Sequence, residues 1–90
     1  MEESVISALS LVKASKYRYK ILKIIDNTVK TPAEIAKKAN IRLNHTSTVL
    51  TALKAHGLVV CLNENTKKGR LYRLTKLGKN VITTIDSEGT

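Results

Sequence analysis

Apolar residues recur along this chain at two spacings, one helical and one extended. Over residues 3–13, Val5, Ala8, Leu9 and Val12 share one helical face, while Ile6 and Leu11 lie off it. A second helix is expected over 15–27, with Ser15 as its N-cap. Tyr17, Ile21, Ile24 and Ile25 then point to the core, and Lys16, Tyr19 and Lys23 point away. Thr31-Pro32-Ala33-Glu34 has the chemistry of a helix start: a capping hydroxyl, a proline at the first helical position and a glutamate placed for a capping box. That third helix ends near Ala39, and Asn40 suits a left-handed C-terminal turn. A fourth helix is expected over 43–56, with Thr46, Val49, Leu50 and Leu53 as its inner stripe and Gly57 as its stop.

The spacing then changes. Residues 58–62 and 70–74 read as extended, and the turn-rich polar stretch 63–69 between them makes a hairpin with a long loop. Thr75 caps a last helix through about Ile85, built on Leu77, Val81, Ile82 and Ile85, and residues 86–90 are expected to fray. The whole, residues 1–90, reads as one domain: mostly α with a β-hairpin wing, an α+β winged helix-turn-helix. Its second helix-turn-helix element is sized for the major groove, and its hairpin can reach along the backbone to the minor groove.

Charge supports a polyanionic partner. Sixteen Lys and Arg stand against 7 Asp and Glu, a formal charge of +9 on 90 residues. The 42% apolar content suffices for a folded core. No apolar run is long enough to span a bilayer, and the Met-Glu-Glu start carries no basic, apolar leader, so neither membrane nor secretion is expected. The expected location is cytoplasmic, on the nucleoid. The lone Cys61 excludes an internal disulfide or a Cys-cluster zinc site and reads as an ordinary strand residue. Two His, one Cys and scattered acids form no nucleophile–base pair or metal cluster, so neither enzyme activity nor a cofactor is expected.

Three stretches resemble the ArsR-type and MarR-type winged-helix regulators, including the small archaeal members of that superfamily. They are Ala8-Leu9-Ser10 with Ser15–Leu22, then residues 34–59, and finally Tyr72-Arg73-Leu74-Thr75-Lys76-Leu77-Gly78. The resemblance spans roughly residues 8–85 and implies a transcriptional regulator that dimerises through its terminal helices. The chain departs from the family at Asn40, where Gly is common, and at Arg42, where Ser or Thr often caps the recognition helix. With Arg there, a start at Asn44 is the alternative to one at Leu43. The paired Cys ligands of ArsR-type metal sensors are missing from this helix.

With Leu50 as the inner face, steps of about 100° per residue turn Asn44, Thr48 and Thr51 outward, with His45 beside them. Asn44, His45 and Thr48 are the expected base readers, with Ser47 and Thr51 at the flanks. Arg42 is expected on phosphate or a base, and the wing cations Lys67, Lys68 and Arg70, with Lys37 and Lys38, on phosphate, joined by backbone N–H groups at Thr31. His56 at a helix C-terminus suits the dipole. Surplus apolar side chains, namely Ile6, Leu11, Tyr19 and Ile82, point to a homodimer. Two other readings fit the same pattern: a winged-helix protein-interaction module, and a sequence-neutral chromatin or RNA binder.

Overall fold

The start of the third helix follows its local chemistry. Thr31 Oγ1 accepts the Glu34 N–H at 3.2 Å while Glu34 Oε1 accepts the Thr31 N–H at 2.9 Å, closing the capping box ahead of Pro32. In the computed structural model, which describes residues 3–88, the elements are α1 (Glu3–Lys13), α2 (Lys16–Ile25), α3 (Pro32–Ala39), α4 (Leu43–Ala55), β1 (Val59–Cys61), β2 (Tyr72–Leu74) and α5 (Lys76–Glu88). Asn40 ends α3 in the left-handed region at φ 57°, ψ 46°, and its N–H closes on the Ala36 and Lys37 carbonyls. This turn sets α4 against α3.

The helices enclose one apolar cluster. Val12 from α1, Ile21, Leu22 and Ile25 from α2, Ile35 from α3, Leu50 and Leu53 from α4 and Val81 from α5 are all buried. The strands pair antiparallel, Val59 with Leu74, Val60 with Arg73 and Cys61 with Tyr72. Their period of two turns Val59, Cys61, Tyr72 and Leu74 inward and Arg73 outward. Lys30 adds a bridge to the outer edge of β2, its N–H donating to the Tyr72 carbonyl at 3.0 Å and its carbonyl accepting the Tyr72 N–H at 2.9 Å. Sequence periodicity had no means of marking a single bridging residue.

Thr75 caps α5 by accepting the Gly78 N–H at 3.1 Å, and its hydroxyl donates to the Gly57 carbonyl at 2.6 Å. Gly78 is required for a steric reason: a Cβ there would run into the Leu58 backbone carbonyl. The glycine lets α5 lie directly against the start of the hairpin.

Several boundaries differ from expectation. The second helix stops at Ile25 rather than 27, because Asp26 turns to φ 47° and sends its N–H back to Leu22 O at 2.9 Å. Ser15 stands at the N-cap but its side chain makes no capping hydrogen bond. The fourth helix begins at Leu43 as its spacing predicts, not at the alternative Asn44, and ends at Ala55 rather than 56; Arg42 occupies the N-cap with extended backbone and no side-chain cap. The strands are shorter than 58–62 and 70–74, because Asn63 intercepts the ladder: its Oδ1 accepts the Leu71 N–H at 2.8 Å. The expected fraying of 86–90 is corrected up to Glu88, since α5 continues through Asp86, which binds Tyr19 and Lys23; residues 89–90 lie outside the described residues.

Candidate nucleic-acid interface

The outward side of α4 divides into three strips. Leu43, Ser47, Thr51 and Lys54 follow one another by helical steps along the flank that faces the hairpin. Asn44 and Thr48 form the apex, and His45 lies on the opposite flank, toward α2. All seven side chains are exposed, whereas Thr46, fully buried, packs inward as its spacing implies. Asn44 and Thr48 are joined locally: Thr48 Oγ1 donates to the Asn44 carbonyl at 3.0 Å. Thr51 Oγ1 donates in the same way to the Ser47 carbonyl at 2.9 Å. Asn44 Oδ1 accepts the His45 N–H at 2.9 Å, partly making up for the missing cap at Arg42.

His45 is more structured than a free surface side chain. Its ring meets Tyr17 of α2 edge-on, centroids 4.8 Å apart, and the Lys16 ammonium lies 5.4 Å from the same Tyr17 ring. Tyr17, expected in the core, is therefore half-buried with one side on the core and the other on His45. Lys16 and Tyr17 belong to the edge of this surface, which the helical stripe alone did not signal.

The wing loop is held by its own residues. Asn63 Nδ2 donates to the Gly69 carbonyl at 3.2 Å, and Arg70 Nε donates to the Thr66 carbonyl at 2.8 Å. Arg70 is thus half-buried and tied into the loop, while Lys67 and Lys68 stand exposed at its tip. Lys54 at the end of α4 forms an ion pair with Glu64, bracing the wing against the helix. Glu64 holds the Lys54 amine above its ordinary value, and Lys54 holds the Glu64 carboxyl below its own.

Between α4, the start of α3 and the wing runs a groove of about 460 Å³. Thr31, Ala33, Leu43, Ser47, Thr51, Lys67 and Lys68 are among its lining residues. The fold thus brings Thr31, Ser47, Thr51, Lys67, Lys68 and Arg70 to one groove. Arg42 and Lys37 instead flank a second depression at the turn between α3 and α4, and Lys38 lines neither. Leu43, 53% exposed at the first position of α4, is a feature that periodicity missed: its spacing from Leu50 implies burial, but the stripe there runs beyond the edge of the core.

Similarity to known proteins agrees with this architecture. No functionally curated protein matches the sequence. Among solved structures, MarR of E. coli in complex with operator DNA is 27% identical with a TM-score of 0.75, over 93% of this chain and 61% of that one. TubR of Bacillus thuringiensis, bound to 24 bp of tubC, superposes with a TM-score of 0.79 at 10% identity, over 93% and 94% of the two chains. Lactococcus lactis ZitR is 22% identical with a TM-score of 0.71 over 81% of this chain, which spans about half (51%) of the ZitR chain. The family model described as winged helix-turn-helix matches residues 15–88, and the chain belongs to that family.

Proposed function

We propose that this protein binds double-stranded DNA as a homodimeric transcriptional regulator, with α4 in the major groove and the wing along the backbone toward the minor groove. One observation carries the reading: an exposed, uncharged polar strip on α4 flanks a groove whose far wall is the cationic wing tip, Lys67 and Lys68. A protein-binding helix would offer a broad stripe of large apolar side chains; a groove reader offers short, uncharged side chains framed by cations. The MarR and TubR structures with DNA support it by likeness of fold.

In this reading Asn44, Thr48, Ser47 and Thr51 meet base edges, and His45 sits at the border of the strip. Arg42, Lys67, Lys68, Lys37 and Lys38 meet phosphates, and Arg70 shapes the loop that presents the lysines; Thr31 lines the groove, but its N–H, expected on phosphate, is held by the Glu34 carboxylate instead. The whole chain works as one DNA-binding domain, and its place of action is the nucleoid. Dimerisation is supported by the Mycobacterium bovis winged helix-turn-helix domain, described as homodimeric, which superposes with a TM-score of 0.74. The test is selection from random duplexes. A palindromic consensus is expected; uniform retention of all sequences indicates a chromatin-like binder, and no retention indicates a protein-interaction module.

A further inference from the structure

The reading strip of α4 is notable for what its polar groups are already doing. From Leu43 to Ala52 it contains no Arg, Lys or Gln. The commonest direct readout, a bidentate Arg or Lys on guanine, therefore has no donor within this stretch; Arg42 precedes it, and Lys54 beyond it is paired with Glu64. Asn44 Oδ1 accepts the His45 N–H at 2.9 Å, which ties its amide to the start of the helix and leaves one lone pair and the amide protons for a base. Thr48 and Thr51 each donate their only hydroxyl proton to a carbonyl one turn back, at 3.0 and 2.9 Å. With those protons committed, what these exposed side chains have left to offer a partner is a γ-methyl and oxygen lone pairs. Leu43, on the side of the helix nearer Leu50, exposes 53% of its surface and lines the same groove as Thr51.

We infer that α4 selects its site chiefly by apolar contact with thymine C5-methyl groups, through Leu43 and the γ-methyls of Thr48 and Thr51. The thymine methyl is the one apolar feature among the major-groove edges of the four bases, so a methyl-bearing surface discriminates there and nowhere else. The preferred site is therefore A·T-rich where α4 lies. This inference rests on the DNA-reading proposal above.

Uracil in place of thymine removes only the methyl and keeps every hydrogen-bonding edge, so it isolates the contact. The duplex recovered by selection is prepared with thymine or with deoxyuridine at each thymine of one half-site, and affinity is measured at fixed salt. Each contacted methyl is worth roughly fourfold in affinity, so the uracil duplex should bind at least that much more weakly, while a random duplex is unaffected. Thr48→Ser removes the protein's methyl and retains the hydroxyl bond; it should lose about the same factor on the thymine duplex and almost nothing further when its thymine partner becomes uracil. Leu43→Ala should behave likewise at its own position. Full affinity on the uracil duplex, with preference over random DNA retained, overturns methyl readout and leaves DNA reading intact. Absence of any preferred duplex overturns both.

Discussion

Threonine serves α4 in two settings with one hydrogen bond. Thr46, Thr48 and Thr51 each donate to the carbonyl four residues back, yet Thr46 is fully buried and the other two are exposed. For Thr46 the bond satisfies a hydroxyl inside the core; for the others it commits the proton and leaves the methyl and lone pairs of an exposed side chain for a partner. Thr48→Ala is therefore expected to change stability by no more than about 0.5 kcal/mol while weakening binding to the preferred duplex by about 1 kcal/mol. Leu50→Ala should do the reverse, destabilising the fold by about 2–5 kcal/mol through lost burial and a cavity. His45→Ala differs from both, because removing the edge contact with Tyr17 should cost about 0.5–1.5 kcal/mol of stability besides any loss of affinity. Thermal melts of the three variants, paired with titrations on specific and random duplexes, separate these outcomes. Equal melting temperatures for the wild type and the His45 variant would show that the ring contact contributes nothing.

Most element ends set by neighbours in sequence were legible, the turn at Asp26 that stops α2 being an exception, and those set by distant partners were not. The α3 capping box, the left-handed Asn40 and the Thr75 cap all lie within three or four residues of what they bind, and each was readable from residue type and spacing. The strand ends depend on Asn63 reaching across the loop to Leu71 and Gly69, and the last turn of α5 depends on Tyr19 and Lys23, more than sixty residues away. Of the interface, the outward strip followed from helical geometry, but the tying of Arg70 into its own loop did not. The two helix-end carboxylates also set an acid limb. Lys23, then Tyr19, holds Asp86 below its ordinary value of 3.8, and the Thr31 N–H, then its hydroxyl, holds Glu34 below 4.5. A carboxyl depressed in the folded state contributes stability that is complete above its unfolded value and lost as pH falls through the lower folded one. Melting temperature should thus begin to fall as pH drops below about 4.5, and Asp86→Asn should make that fall shallower. Parallel acid limbs for the variant and the wild type would show that Asp86 does not act this way.

At the scale of the whole molecule, charge and apolar surface are distributed unequally. The ion pairs among the described residues, Lys13–Glu88, Lys23–Asp86 and Lys54–Glu64, place two of their three carboxylates at the end of α5. Lys67 and Lys68 at the wing tip take part in none of these pairs. If each protomer neutralises about three to five phosphates, log affinity should fall with log salt at a slope of roughly −3 to −5 per protomer. Removing Lys67 and Lys68 together should reduce that slope by about one to two units on specific and random duplexes alike. The apolar surface argues for the dimer, on narrower ground than the sequence suggested. Ile82 is only 8% exposed, Leu11 packs against the core, and the Tyr19 hydroxyl is engaged by Asp86 at 2.5 Å, so none of the three is surplus. Ile6, 52% exposed on α1, remains, with the half-buried Val5 beside it. A self-complementary contact between two copies would bring each Ile6 against the other copy's α1 or α5, as a two-fold interface requires. A carboxylate there would be desolvated without a partner, so Ile6→Glu should turn a micromolar dimer into a monomer while leaving the protomer folded, because the side chain is exposed within one copy. DNA affinity should then collapse toward that of a single half-site, since the second protomer no longer binds at the high effective concentration set by the first. Sedimentation of both proteins without DNA checks the assembly, and a wild type that runs as a monomer at micromolar concentration overturns it.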